Sequence, residues 1–93
     1  MVCVRVRFYA SLRDEIGAEE VVMYLSDSSF YSLLSRLKAL FDGRADRLFS
    51  EDGKLRDGLI VSVNNSIVHL SNVRELKLCE NDIVDFMPAP SGG

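Results

Sequence analysis

The residues that most clearly could take part in a reaction are the last two of the sequence, Gly92 and Gly93. They follow the short segment Pro88-Ala89-Pro90-Ser91. Glycine has no Cβ, so a Gly-Gly end fits a narrow channel and adopts backbone angles that other residues avoid. A terminal carboxylate is ionised at neutral pH, because its pKa is about 3.3–3.7. It becomes an electrophile only after activation, for example as an acyl-adenylate made from ATP. The pattern predicts a carboxylate that a partner activates; the alternative is an incidental, frayed end.

The composition is that of one small globular domain. The chain has 93 residues, of which 47% are apolar and 27% charged, and this length allows one buried core. The net charge is −3 and there is no basic stripe, which argues against a nucleic-acid partner. No apolar run has the length of a membrane helix, so we expect no membrane association.

Cysteine and histidine offer little further chemistry. Cys3 and Cys79 lack the spacing of metal ligands, and free thiols favour a reducing, cytoplasmic location. His69 is the only histidine, and the sequence has no Ser/His/Asp set and no phosphate-binding loop. We therefore expect no metal, no bound cofactor and no catalysis by this chain on its own.

The alternation of apolar with other side chains predicts the strands that must position the tail. Residues 2–9 alternate, with every second side chain apolar, and predict a half-buried strand. Residues 11–17 indicate a turn or short helical link that Gly17 ends. Residues 20–25 then predict a second strand, antiparallel to the first.

One amphipathic helix follows these strands. Ser28 or Ser29 caps its beginning and Gly43 ends it. A short helix beyond it is expected to pack Leu48 and Phe49 onto the core. The apolar residues of the main helix form one stripe, which a lone small domain needs for its core: Phe30, Leu33, Leu34, Leu37, Leu40 and Phe41.

A hairpin and a final strand complete the domain. Asparagine tolerates positive φ, so Asn64-Asn65 predicts a two-residue turn between strands at 59–63 and 66–70. A last strand spans about 82–87, and Pro88 ends it because proline cannot donate a ladder hydrogen bond. The hairpin register predicts three facing pairs: Val63 with Ser66, Val61 with Val68, and Leu59 with Leu70.

The order strand, strand, helix, strands predicts an α+β roll, a mixed sheet of four to five strands packed on one main helix. We divide the chain into a domain over 1–87 and a flexible C-terminal tail over 88–93. The solvent face of the sheet keeps apolar residues near the tail, which predict a docking patch: Tyr9, Ile67, Ile83 and Met87.

Three segments carry a family pattern. Residues 8–17 (FYASLRDEIG) are similar to an aromatic-aromatic-Ala opening followed by Leu-Arg-Glu-aliphatic-Gly. Val63-Asn64 matches a Val-Asn hairpin turn, and residues 80–93 (ENDIVDFMPAPSGG) are similar to a closing Gly-Asp-x-(Val/Ile)-x-Phe-x-Pro-Pro-Val-small-Gly-Gly. Met87 stands where an aromatic residue is common, and Pro90 displaces the Pro-Pro-Val arrangement. Asn81 replaces the usual glycine, and asparagine tolerates the left-handed backbone needed there. Over nearly its whole length the chain resembles the MoaD family of the ubiquitin-like MoaD/ThiS superfamily.

The resemblance implies a β-grasp (ubiquitin-like) fold and a sulfur-carrier cycle. An E1-like adenylyltransferase of the MoeB type would use ATP to adenylylate Gly93, and a persulfide enzyme would supply the sulfur of a C-terminal thiocarboxylate. The large subunit of molybdopterin synthase, of the MoaE type, would then receive the Gly92-Gly93 end for sulfur transfer to the pterin precursor of the molybdenum cofactor. By matched position, the resemblance implies a set of partner-binding residues: Tyr9, Arg13, Ile67, Met87 and Pro88.

Other interpretations remain open. Archaeal ubiquitin-like modifiers of this fold join a Gly-Gly end to lysines. Carriers for thiazole synthesis, the ThiS proteins, and carriers for tRNA thiolation share the early chemistry, although ThiS chains are typically shorter. A plain β-grasp binding module with an incidental Gly-Gly end is the interpretation from a different class.

Overall fold

A five-stranded mixed sheet with one long helix on its inner face forms the domain in the computed structural model, which describes residues 1–50 and 54–89. The strand order is β2-β1-β5-β3-β4. The central strands β1 and β5 are parallel, and the other neighbours are antiparallel. This is the predicted β-grasp roll. The strands are β1 (Val2–Phe8), β2 (Glu20–Leu25), β3 (Leu59–Val63), β4 (Ser66–Val68) and β5 (Ile83–Pro88).

The first two strands and their link agree with the sequence pattern. β1 pairs antiparallel with β2, and its alternate side chains Val4, Val6 and Phe8 are buried. The link is a short helix, α1 (Ala10–Ile16). Gly17 ends it with φ 84°, a left-handed conformation, and donates its N–H to the Arg13 carbonyl.

The main helix, α2 (Phe30–Phe41), begins at Ser29, whose hydroxyl accepts the N–H of Ser32. Phe41 is the last residue of the helix, and Asp42, with φ 51°, caps its C-terminus one residue before the predicted Gly43. Leu40 is 52% exposed, so its assignment to the core was wrong: it lies at the margin of the stripe in the last turn. The other stripe residues are buried or pack against the core: Phe30, Leu33, Leu34, Leu37 and Phe41.

Asp27 adds a second acceptor at the beginning of α2. Its carboxylate accepts the Ser29 N–H at 2.8 Å and the Ser32 hydroxyl at 2.7 Å. Hydrogen bonds from Ser29 and then from Ser32 lower the pKa of Asp27 from 3.8 to about 2.

Asp27→Asn is therefore expected to lower the melting temperature near neutral pH. Because the folded-state pKa is depressed, the contribution of the Asp27 carboxylate to stability is fully present above pH 3.8 and is lost as the pH falls towards about 2. Thermal melts should show the wild type and variant converging across that window. Asp46→Asn, at an exposed position, serves as the control. A difference in melting temperature between the wild type and Asp27→Asn that stays constant down to about pH 2 would contradict the expectation.

The hairpin register is confirmed for two of the three predicted pairs, Val61 with Val68 and Val63 with Ser66. Both turn asparagines have positive φ, 52° and 70°. The predicted pairing of Leu59 with Leu70 is wrong. β4 stops at Val68, because the chain turns there into a 3₁₀ helix over Leu70–Glu75.

Four phenylalanines form the centre of the core. Phe86 stacks on Phe8 with ring centroids 6.0 Å apart and lies 6.4 Å from Phe30, while Phe41 meets Phe8 edge-on at 5.8 Å. The predicted short helix is a 3₁₀ helix over Asp42–Leu48, and it buries Leu48 and Phe49 as expected.

β5 runs one residue beyond the predicted end of the strand. Pro88 is its last residue and pairs with Leu59, and the next N–H, of Ala89, donates to the Gly58 carbonyl. Proline is tolerated at a strand terminus, where a missing N–H interrupts little of the ladder. In the described part of the chain, no helix is long and apolar enough to cross a membrane.

Candidate functional site

The outer face of the sheet next to the tail carries the residues that the sequence singled out. Tyr9 follows β1 and bonds through its N–H to the Phe86 carbonyl, which places it beside Met87. Met87 pairs with Ile60 across β5 and β3. Ile67 follows on β4, opposite Ser62. We call Tyr9, Ile60, Ile67 and Met87 the docking face.

The docking face is uneven in exposure. Ile67 is 71% exposed and Tyr9 37%, whereas Ile60 and Met87 are half-buried. Exposed apolar side chains on neighbouring strands suit a partner surface better than water. Ile83, expected in the same patch, lies four residues before Met87 on β5, about 13 Å away along the strand. It therefore belongs to another part of the outer face.

A polar network lies in the middle of the docking face. The Asp85 carboxylate is 4% exposed although its strand position faces outward. It accepts hydrogen bonds from Arg7 Nε at 2.7 Å and Arg7 Nη2 at 3.2 Å, a bidentate arrangement. The hydroxyls of Tyr9 and Ser62 each donate to it at 3.3 Å. These bonds compensate the burial of the charge.

The network shifts the pKa values of Arg7 and Tyr9, and both shifts favour the hydrogen-bonded state. The hydrogen bond to Asp85 raises the pKa of Arg7, so this guanidinium stays charged. Burial, followed by the charge of Asp85, raises the pKa of Tyr9, so its phenol stays protonated and remains a donor. The network thus fixes the ring of Tyr9 at the rim of the docking face without removing the ring from solvent.

Asp85→Asn is expected to lower the free energy of unfolding by about 1–2 kcal/mol, because charge-assisted hydrogen bonds from Arg7 are replaced by weaker neutral ones. Urea denaturation would measure the loss. Asp14→Asn is a matched control, since Asp14 is 79% exposed and its ion pair with Arg13 is 3.9 Å long. Equal effects of the two substitutions would contradict a stabilising network.

The remaining predicted site residues lie apart from the network or beyond the described residues. Arg13 lies on α1, where its Nε is 3.9 Å from an Asp14 carboxylate oxygen, so the network does not include it. Pro88 is half-buried and follows Met87 on β5, where its strand position has the parity of the core residues Val84 and Phe86 and not that of the docking face. Gly92 and Gly93 lie outside the described residues.

Sequence reasoning missed the burial of Ser62 and Asp85 and the pairing of Asp85 with the partly exposed Arg7. Strand parity places all three on the outer face, where solvation is the default. The sequence did contain a signal: Arg7 on β1 and Asp85 on β5 carry opposite charges, and strand parity directs both side chains to the outer face. Using it requires knowing that β1 and β5 are neighbours.

Asn81 has the left-handed backbone that the sequence comparison required, with φ 69°. Its N–H donates to the Cys3 carbonyl at 2.7 Å. The thiols of Cys3 and Cys79 are free, and no group of three potential metal ligands occurs within residues 1–50 and 54–89.

Comparison with known proteins gives the family. Residues 6–93 match the model of the ThiS family. No curated protein matches the chain in sequence. The match covers both the docking face and the Gly-Gly end.

Solved structures share the fold over nearly the whole chain. SAMP1 from Haloferax volcanii is similar with a TM-score of 0.82 at 23% identity, over 98% of this chain and 99% of that one. The HVO 2177 protein of the same organism has a TM-score of 0.76 at 28% identity, over 99% and 87%. A protein from Pyrococcus furiosus assigned as molybdopterin converting factor subunit 1 has a TM-score of 0.73 at 21% identity, over 97% and 100%. The chain therefore belongs to the ThiS family, within the ubiquitin-like superfamily of small sulfur carriers and modifiers.

Proposed function

We propose that this chain is the sulfur-carrying small subunit of a molybdopterin synthase. An E1-like enzyme of the MoeB type adenylylates the Gly93 carboxylate, and a persulfide donor converts it to a thiocarboxylate. A large subunit of the MoaE type receives the tail, and the sulfur passes to a pterin precursor. The observation that carries the sulfur-carrier role is the family match over residues 6–93, which includes the docking face and the Gly-Gly end. The molybdopterin acceptor is proposed from the resemblance of residues 8–17 and 80–93 to the MoaD pattern.

The chemistry balances with ATP as the activating reagent and a thiol as the two-electron reductant. A carboxylate oxygen of Gly93 attacks the α-phosphorus of ATP, and pyrophosphate leaves. A sulfur nucleophile then attacks the mixed anhydride, and AMP leaves with the oxygen. With a persulfide as the nucleophile, the product is an acyl disulfide. A second thiol of the sulfur-donor system then attacks the donor's sulfur, the S–S bond breaks, a disulfide forms between the two thiols, and the thiocarboxylate of Gly93 leaves. The activating enzyme and the sulfur donor supply the reagents, and this chain supplies the acyl group.

The geometry supports a carrier because the docking face and the tail share one strand. β5 carries Asp85 and Met87 and continues directly into the tail. The N–H of Ala89 is bonded to Gly58, which fixes where the sheet ends. Four further residues reach at most about 14 Å when extended. A partner that covers Met87 and accepts the tail must therefore have its reactive centre within about 14 Å of Ala89.

Ile67→Asp is expected to weaken docking to either partner at least tenfold while leaving folding intact, because Ile67 is 71% exposed and its loss opens no core cavity. Calorimetric titration against the large subunit measures the change. Tyr31→Asp, at a residue 73% exposed on α2, is the matched control and should bind like wild type. Equal affinity of the two variants for the large subunit would show that Ile67 is not part of the interface.

Intact-mass analysis tests the carrier role. The chain is incubated with ATP, a MoeB-type enzyme and a persulfide donor, and then with a MoaE-type subunit and pterin precursor. The expected result is exchange of one oxygen for sulfur, followed by loss of that sulfur when the precursor is present. Loading without discharge to the pterin would reject molybdopterin synthesis and retain a sulfur carrier for another acceptor. Absence of loading would reject the carrier role.

A protein modifier is the second candidate, favoured by the likeness to SAMP1 at a TM-score of 0.82. It shares the activation step but transfers the acyl group of Gly93 to a lysine amine. Lysates expressing a tagged chain would then contain covalent adducts of higher mass. A matched chain lacking Gly93 should form none.

A further inference from the structure

The strand β2 presents a free edge on the side of β1 away from β5. It is six residues long, and its pairing with β1 is unbroken from Arg7–Glu20 to Val2–Leu25. The opposite edge strand, β4, has only three residues. Natural sheets protect long edges with lysine, proline or bulges, because an unpaired edge accepts another strand. β2 has none of these features.

The hydrogen bonds of β1 show which groups of β2 are free. The Phe8 N–H donates to Glu19 on the β2 side, whereas the Arg5 N–H donates to Asp82 on the β5 side. Even residues of β1 therefore bond to β2, and odd residues bond towards β5. In the observed register, three residues of β2 direct their N–H and C=O away from β1, and no other backbone group of the described residues bonds to them: Glu20, Val22 and Tyr24.

The side chains of the same residues lie on the outer face. Val22 is 46% exposed and Tyr24 61%. With Cys3 and Ile83 they line an open hollow of about 390 Å³. The free backbone groups and the exposed apolar side chains thus coincide on one strand.

We propose that β2 pairs antiparallel with β2 of a second copy of this chain, across a two-fold axis at Val22. This register places Val22 opposite itself and Glu20 opposite Tyr24 of the second copy. All three edge-facing residues then gain strand partners, whereas every other antiparallel register leaves at least one without a partner in the strand. The result is a continuous sheet of twice the width.

Charge favours a second copy as the occupant. In the proposed register the Glu20 carboxylate faces the phenol of Tyr24, a hydrogen-bond donor, and no like charges oppose each other. Within its own chain Glu20 lies opposite Arg7, which offsets its charge. The axis itself carries only the apolar Val22. An edge-only contact is small, below about 1,200 Å² in total, so the dimer is weak and reversible.

The proposed dimer leaves the tails accessible. β1 lies between β2 and β5, so pairing at the β2 edge does not cover Ile67 or Met87. The two-fold axis turns the two tails in opposite directions. The inference therefore stands independently of which partner or acceptor the tail serves.

Sedimentation velocity on the full chain from about 10 µM to about 1 mM tests the pairing, since a weak dimer populates in that range. Val22→Glu is expected to raise the dissociation constant at least tenfold, because two carboxylates then oppose each other at the axis. Within one chain the new carboxylate faces Arg5, so folding is retained. Ile67→Glu, on the other edge strand, is the matched control and should change the constant less than twofold. A monomer at about 1 mM, or equal effects of the two variants, would overturn the proposal.

Cysteine cross-linking tests the register in a Cys3→Ser, Cys79→Ser background. Val22→Cys should form a disulfide-linked dimer, since residues paired at the axis have Cα atoms about 5.5 Å apart. Tyr24→Cys alone should not, because two Tyr24 positions lie about 14 Å apart along the strands. A mixture of Glu20→Cys and Tyr24→Cys chains should form the mixed dimer. Cross-linking of Tyr24→Cys as fast as Val22→Cys would overturn the register.

Discussion

Deletion of Gly93 is expected to abolish sulfur loading completely. The proposed activation requires one atom, a carboxylate oxygen of the last residue, to lie at the α-phosphorus of ATP. A carboxylate set back by one residue, about 3.5 Å, misses that position, and misplacement by 1 Å already costs about 100-fold in rate. ATP–pyrophosphate exchange with the activating enzyme measures the first step, and intact mass measures the loading.

The matched control is a chain with one alanine added after Gly93, which moves the carboxylate outward instead. It should be equally inactive. Gly92→Ala keeps the length of the tail and adds a single methyl group. It therefore tests the width of the partner's channel separately from the position of the carboxylate, and we expect a partial loss of sulfur loading. None of the three changes alters a residue of the described sheet, so their unfolding transitions should coincide with the wild type. Exchange at the wild-type rate without Gly93 would contradict the proposed activation.

Phe86→Ala is expected to produce the largest loss of stability, about 3–5 kcal/mol, against a total of about 5–15 kcal/mol for a small domain. Phe86 is fully buried and touches the rings of both Phe8 and Phe30. It therefore joins the central strands to α2, and its truncation leaves a cavity between the two layers. Urea denaturation with an unchanged slope would measure the loss.

Tyr31→Ala provides the comparison, because Tyr31 is an aromatic residue that is 73% exposed on α2. Its truncation should change the free energy of unfolding by no more than about 0.5 kcal/mol. A loss below about 1 kcal/mol for Phe86→Ala would contradict its central position in the core. A conservative Phe86→Leu should recover much of the stability, because it fills most of the cavity.

The local parts of the fold could be predicted from the sequence. The alternation in β1, a cap at Ser28 or Ser29 and the Asn64-Asn65 turn depend on neighbouring residues. The alternation and the turn were predicted correctly, and Ser29 is the one of the two serines that caps α2. The errors lie at element ends. α2 stops at Phe41 and β4 at Val68, where competing 3₁₀ turns decide and the apolar pattern does not.

The candidate site was only partly predictable because its chemistry is non-local. Parity placed Tyr9, Ile67, Ile83 and Met87 on one face, but parity ignores distance along a strand, and about 13 Å of β5 separates Ile83 from Met87. The pairing of Arg7 with Asp85 joins residues 78 positions apart. The Gly92-Gly93 end stays a prediction, because those residues lie outside the described residues.

The parallel pairing of β1 with β5 has a consequence for how the domain forms. The centre of the sheet joins the earliest strand of the chain to the latest, so the core closes only after a long loop has been ordered. Non-local closure of this kind slows folding. During synthesis, β1 and β2 can form a hairpin early, but Phe8 has no partner ring until β5 has emerged from the ribosome. An activating enzyme that recognises the surface completed by β5 would therefore select chains that have finished folding.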